Sequence, residues 1–138
     1  MKRSLLLAVL VCGCGSQFTG TYTGMLSKEL DCSGDKRSDI SKVSMTLKQT
    51  GDQVEISSSN CPGLGGTVAG DVVELGQFVC PTRTVDGVGI TETITGGKLT
   101  LAAPSLSVDV RSNAVLTSGG ESVQCSAVQK GALMKEGE

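Results

Sequence analysis

This 138-residue chain predicts an all-β domain, a single small antiparallel meander closed as a β-barrel or folded as a β-sandwich. Three observations carry that expectation. Apolar side chains recur with a period of two, as in half-buried strands. Glycine-containing breaks separate the β-rich runs, as hairpins require. No eleven-residue window carries a helical stripe with caps.

The elements follow in chain order. The run 18–26 opens on Phe18-Thr19-Gly20-Thr21-Tyr22, rich in the β-branched and aromatic residues that suit a pleated surface. Residues 31–39 are polar and charged and are expected to form a connecting loop. Val43, Met45 and Leu47 then face one way while Lys42, Ser44, Thr46 and Lys48 face the other. Thr50-Gly51-Asp52 makes a turn, and Val54 and Ile56 continue the pattern. Gly70-Asp71 separates 66–69 from 72–80, and Gly96-Gly97 separates 88–95 from 98–102, each read as a hairpin. The runs 105–110, 114–117 and 122–129 complete about nine short strands, and the tail from Gly131 either adds a last strand or frays. Spacings of this kind are typical of sandwiches and barrels.

The N-terminus is of a different character. Met1-Lys2-Arg3 is basic, and the apolar run 5–12 is far shorter than the about 20 residues that span a bilayer, though it suits a secretory signal. Val11-Cys12-Gly13-Cys14 resembles the lipobox of bacterial lipoproteins. The resemblance implies cleavage after residue 13, a diacylglycerol on the Cys14 thiol and a further acyl chain on its amine; two or more chains anchor a protein stably. Gly15, where inner-membrane retention would use Asp, implies an outer-membrane destination. The plainer alternative is an ordinary signal peptide that releases a soluble protein. The expected organisation is a signal at 1–13, a lipidated tether at 14–20 and a β domain at 18–138.

Loss of Lys2 and Arg3 with the signal leaves 10 basic against 14 acidic residues, a net charge of −4. That balance argues against nucleic acid and against a polybasic grip on lipid head groups. Four cysteines remain: Cys32, Cys61, Cys80 and Cys125. In an exported small domain an even number implies disulfides. In an up-and-down meander, Cys61 and Cys80 flank one hairpin. Closure brings Cys125, on the last strand, beside Cys32. The expected pairs are therefore Cys61–Cys80 and Cys32–Cys125, ahead of Cys32–Cys61 with Cys80–Cys125.

Phe18-Thr19-Gly20-Thr21-Tyr22 also resembles the G-x-W opening of lipocalins, with Tyr22 in the place of Trp. The match covers about five residues, and the chain has no Trp at all. It implies a lipocalin-like barrel carrying a small apolar ligand in a cavity lined by Val43, Met45, Leu47, Val54, Ile56, Leu99 and Leu101. The alternative is that these residues fill the barrel as core.

Catalytic patterns are missing. With no His in the chain, Ser-His-Asp and Cys-His arrangements are impossible. Ser27-Lys28 and Ser41-Lys42 read as surface pairs. Three aromatics are too few to build both a core and a sugar platform. The glycine-rich 61–66 lacks the strand-then-helix setting of a phosphate loop. Neither an enzyme nor a cofactor is expected. A metal is not expected either. Asp31, Ser33, Asp35 and Asp39 match the spacing of calcium-loop ligands, but Lys36 stands where the turn needs Gly and Lys42 where Glu should close the site. Asp31, Asp35, Lys36, Arg37 and Asp39 instead suggest a partner-binding loop.

Three functions fit what remains. The leading one is a lipid-anchored envelope interaction module, an accessory, assembly or adhesion component of an outer-membrane machine of the motility, secretion or pilus type. The second is the lipocalin-like carrier. The third is an inhibitor of an envelope-targeting hydrolase, for which the chain lacks an S-G-x-x-Y loop.

Overall fold

A computed structural model describes residues 16–137. The signal segment 1–13 and Cys14 lie outside the described residues. The elements are β1 (Gly20–Cys32), β2 (Asp35–Thr50), β3 (Gln53–Ser58), β4 (Leu64–Ala69), β5 (Val72–Leu75), β6 (Phe78–Val79), β7 (Arg83–Val85), β8 (Val88–Ala102), β9 (Ser105–Ser118) and β10 (Glu121–Lys135). All pair antiparallel in one sheet. Each strand of the up-and-down order neighbours the next, β10 returns beside β1, and β5 pairs β8 to close a ring of eight. The barrel is therefore realised rather than the sandwich. The short strands β6 and β7 hang on β8 outside the ring.

Several runs expected as separate strands join. β1, β2, β8, β9 and β10 are 13 to 16 residues long, so the strands number ten and are not uniformly short. Gly96-Gly97 does not make a hairpin. β8 passes straight through it with a register shift between Ile94 and Gly96. The irregularity lets one strand serve different neighbours: β6 at 93–94, then β5 at 97–100. Bulges commonly re-aim strands in this way at barrel rims. Conversely, 72–80 breaks at Gly76-Gln77 into β5 and β6. The expected loop at 31–39 is instead the tip of a tight hairpin. Ser33 (φ 56°) and Gly34 (φ 93°) form the turn, and the Gly34 N–H donates to Asp31 Oδ1 at 2.9 Å. Positive φ at both central residues suits the twist of a two-residue hairpin.

The barrel has a closed pole and an open one. Around the closed pole Phe18, Tyr22, Val73, Leu106 and Leu133 are fully buried. Phe18 plugs this end: its N–H donates to Gln49 Oε1 at 3.1 Å, and its carbonyl accepts the Tyr22 hydroxyl at 2.9 Å. Gln17 ties the incoming chain to the β4–β5 turn through Nε2 to Gly70 O at 2.8 Å. The two bonds at Phe18 satisfy polar groups that would otherwise lie buried and unpaired. At the other pole β2 outruns β3, which pairs with it only over 45–50. Among the described residues, positions 35–44 pair with β1 alone. The wall there flares into an open, concave sheet.

Both disulfides sit toward the open pole, in the predicted pairs. Cys32–Cys125 links β1 to β10 with Cα atoms 4.1 Å apart, and Cys61–Cys80 ties the β3–β4 loop to the end of β6 with Cα atoms 4.9 Å apart. The first encloses 93 residues of sequence and the second 19. On the loop-closure argument the longer link stabilises more, within a typical range of about 2–5 kcal/mol. Replacing Cys32 and Cys125 together by Ala is expected to lower the urea midpoint further than replacing Cys61 and Cys80. The reverse order would show that native-state anchoring of the 59–63 loop outweighs chain entropy.

Candidate functional site

Alternation along each long strand decides what faces the concavity. From the buried Leu26, β1 points Lys28, Leu30 and Cys32 inward. From Val110, β9 points Ser112, Ala114 and Leu116 inward, and from Ile94, β8 points Glu92, Ile90 and Val88 inward. Arg83 and Val85 of β7 oppose Ile90 and Val88. The inner face of β1, β7, β8 and β9 is thus apolar along these positions apart from one polar belt to which all four strands contribute.

Glu92 is the centre of that belt and is only 7% exposed. Its Oε2 accepts the Ser112 hydroxyl at 2.8 Å. Lys28 Nζ stands 3.7 Å from Oε2, and Arg83 Nη1 stands 3.8 Å from Oε1. Both distances exceed a hydrogen bond, so the cations neutralise Glu92 without engaging it closely. Arg83 Nη1 is buried with no hydrogen-bond partner. Two cations flank this carboxylate, and Asp39, opposite Lys28 on β2, balances the second of them. The backbone holds the belt in place: the Cys80 N–H donates to the Glu92 carbonyl at 2.8 Å, beside the Cys61–Cys80 link.

Below the belt lies a cleft of about 650 Å³, between the free part of β2 and the pinned loop after β3. Leu26, Val43, Met45, Ile56, Ile94, Val108 and Val110 form its apolar surface; Lys28, Asp39, Ser41, Glu92 and Gln129 are among its polar groups. Above the belt, Leu30, Val88, Leu116, Val123 and the Cys32–Cys125 link floor a second concavity of about 340 Å³, rimmed by Asp35, Arg37 and Glu121.

The residues predicted to line a ligand cavity divide. Val43, Met45 and Ile56 line the cleft. Leu47, Val54 and Leu99 are buried deeper in the core, against which Leu101 packs. The five residues assigned to a partner loop stand on strands and split between two faces. Asp31 opposes Lys36 on the outer face, whereas Asp35, Arg37 and Asp39 face the concavity. That split also separates Asp31 from the other carboxylates of the calcium-like spacing. Among the described residues, no group of three or more His, Cys, Asp or Glu could hold a metal.

Sequence reasoning passed over Arg83, Glu92 and Ser112 and read Lys28 as half of a surface pair, whereas it stands in the belt 3.7 Å from Glu92. A signal was present. Glu92 interrupts the apolar row Val88, Ile90, Ile94, and Lys28 interrupts Leu26 and Leu30. A charge in the buried-facing row of a strand needs a partner, which marks it as part of a site.

Fold and belt together define an eight-stranded up-and-down barrel with a charged belt across its open mouth. Comparison of the chain with protein-family models, with curated proteins and with solved structures gave no match.

Proposed function

We propose that this chain is a lipid-anchored envelope interaction module, tethered through Cys14 to the outer membrane and offering its open pole to a protein partner. Within the envelope it serves as an accessory, assembly or adhesion component of a machine of the motility, secretion or pilus type. The observation that carries this reading is the molecule's polarity. The first described residue, Ser16, and the plug at Phe18 lie at the closed pole, so a lipid on Cys14 leaves the flared sheet pointing away from the anchor. The free edge of β2 at 35–44 offers unpaired backbone groups for addition of a partner strand. Its charged residues Asp35, Lys36, Arg37 and Asp39 guard that edge against indiscriminate pairing. Exposed Met25, Ile40 and Met134 run diagonally across the outer face of β10, β1 and β2 beside it.

The test uses the full chain in intact cells. Radiolabelled palmitate is expected on the wild-type protein and not on Cys14→Ser. A photo-crosslinking residue at Ser38, on the free edge, is expected to give one discrete adduct; the same residue at Glu55, low on β3, is expected to give none. An unlabelled chain would sink the anchor, and silence at Ser38 would sink strand addition.

The cleft favours a second reading, a carrier of a small ligand. Eight-stranded barrels are wide enough to hold one small molecule, and mouths of barrels are common ligand sites. That analogy concerns scaffold, and the chemistry of the cleft has to supply the rest.

A further inference from the structure

We infer that the barrel mouth is a binding site for a single-chain amphiphile with an anionic head, its tail in the cleft and its head on Lys28. The inference rests on the carrier reading and adds the charge of the ligand to it. Three observations carry it. The cleft of about 650 Å³ falls within the range of small-molecule sites and has an apolar floor, Leu26, Met45, Val108 and Val110. Lys28 lines it with ammonium donors that make no hydrogen bond, at 3.7 Å from Glu92. Behind Glu92 the Arg83 guanidinium, with its buried and unbonded Nη1, already answers that carboxylate's charge.

The remaining charges around the cleft stand on β2. There Asp39 sits opposite Lys28 on the inward side, whereas Lys42 sits opposite Met25 on the outward side at the edge of the cleft. The inward group, Lys28 and Arg83 with Glu92 and Asp39, is balanced, and Lys28 is ion-paired to Glu92 alone. A cationic ligand would meet Glu92 and Asp39, of which Glu92 is spent on two cations and the Ser112 hydroxyl and Asp39 accepts the Ile40 N–H. An anionic head instead gains charge-assisted hydrogen bonds from donors that now have none, while the tail removes apolar wall from water. Burial beside low-dielectric walls strengthens that contact relative to one on an open surface.

The experiment titrates the full chain in nanodiscs at neutral pH with octanoate, octanol and octyltrimethylammonium, which share tail length and differ in head charge, against empty nanodiscs. Saturable one-site binding is expected for octanoate, at least about tenfold tighter than for octanol, a factor worth about 1.4 kcal/mol. None is expected for the cation. Lys28→Gln is expected to reduce octanoate to the octanol level and leave octanol unchanged. Lys28→Arg is expected to restore it, and Lys98→Gln, on the outer face, to alter neither. Equal affinity for octanoate and octanol, unchanged by Lys28→Gln, would overturn the anionic head and leave the carrier reading standing. Saturable binding of the cation would reverse the sign of the site. No saturable binding of any of the three would overturn both.

Discussion

Tyr22→Ala is expected to destabilise the barrel by about 3–5 kcal/mol, the usual cost of emptying a large buried aromatic position. The chain contains one Tyr, two Phe and no Trp, so few side chains of that size support its core. Tyr22 is fully buried at the closed pole, against Phe18, and its hydroxyl donates to the Phe18 carbonyl. Truncation therefore opens a cavity and also leaves that carbonyl without its partner. Tyr22→Phe separates the two effects: it keeps the ring and removes the hydroxyl with its bond to the Phe18 carbonyl, for an expected loss of about 1 kcal/mol. Urea unfolding followed by far-UV circular dichroism measures both. A loss below about 1.5 kcal/mol for the alanine variant would mean that the plug collapses readily around the gap.

Gly97→Ala is expected to cost about 3 kcal/mol or more, whereas Gly96→Ala, one residue earlier, is expected to cost less than about 1 kcal/mol. The contrast comes from backbone geometry. Gly97 has φ of 149°, outside the range that L residues adopt comfortably, and a Cβ there would press into the Asp109 carbonyl oxygen and stand 2.8 Å from Val110 Cα. Those are backbone atoms of the paired strand β9 and cannot swing aside. A Cβ on Gly96 meets only the Leu75 carbonyl oxygen, at 4.0 Å. Gly97 opposes Leu75 and Val110, the strands on its two sides, at the level where β5 closes the ring. Thermal unfolding of the two variants side by side gives the comparison. Equal midpoints would show that β8 relaxes through the bulge and that closure tolerates a side chain there.

The carrier inference and the strand-addition reading use different surfaces, and their variants separate them. Lys28 lies inside the mouth, whereas Ser38 lies on the free edge of β2. A Lys28→Gln protein that loses octanoate but keeps its Ser38 adduct would assign the two activities to independent sites.

Much of the fold was legible because it follows from local rules. Val43, Met45 and Leu47 announced a half-buried strand through alternation alone, and they occupy inward positions of β2. The disulfide pairs followed from strand order, since a closed meander sets Cys32 on β1 opposite Cys125 on β10. Gly96-Gly97 misled because glycine permits a turn and a bulge equally, and only the demands of neighbouring strands choose between them. The hairpin at 33–34 was hidden by charge: Asp31, Lys36, Arg37 and Asp39 read as loop residues, yet on a sheet with one unpaired edge they can remain solvated as strand residues.

By itself, the amino-acid sequence determined the all-β class, the alternation of most strands and their antiparallel order, and it favoured the cysteine pairing that the closed ring realises. These depend on side-chain alternation and on the fact that consecutive antiparallel strands lie side by side. Tertiary structure alone decided that β5 meets β8, so that the sheet closes as a barrel instead of folding as a sandwich. It alone also brought Lys28, Arg83, Glu92 and Ser112 to one height in the mouth. Ring closure and the charged belt depend on the stagger between strands far apart in sequence. That stagger is set by the summed packing of the whole sheet, and no single segment encodes it.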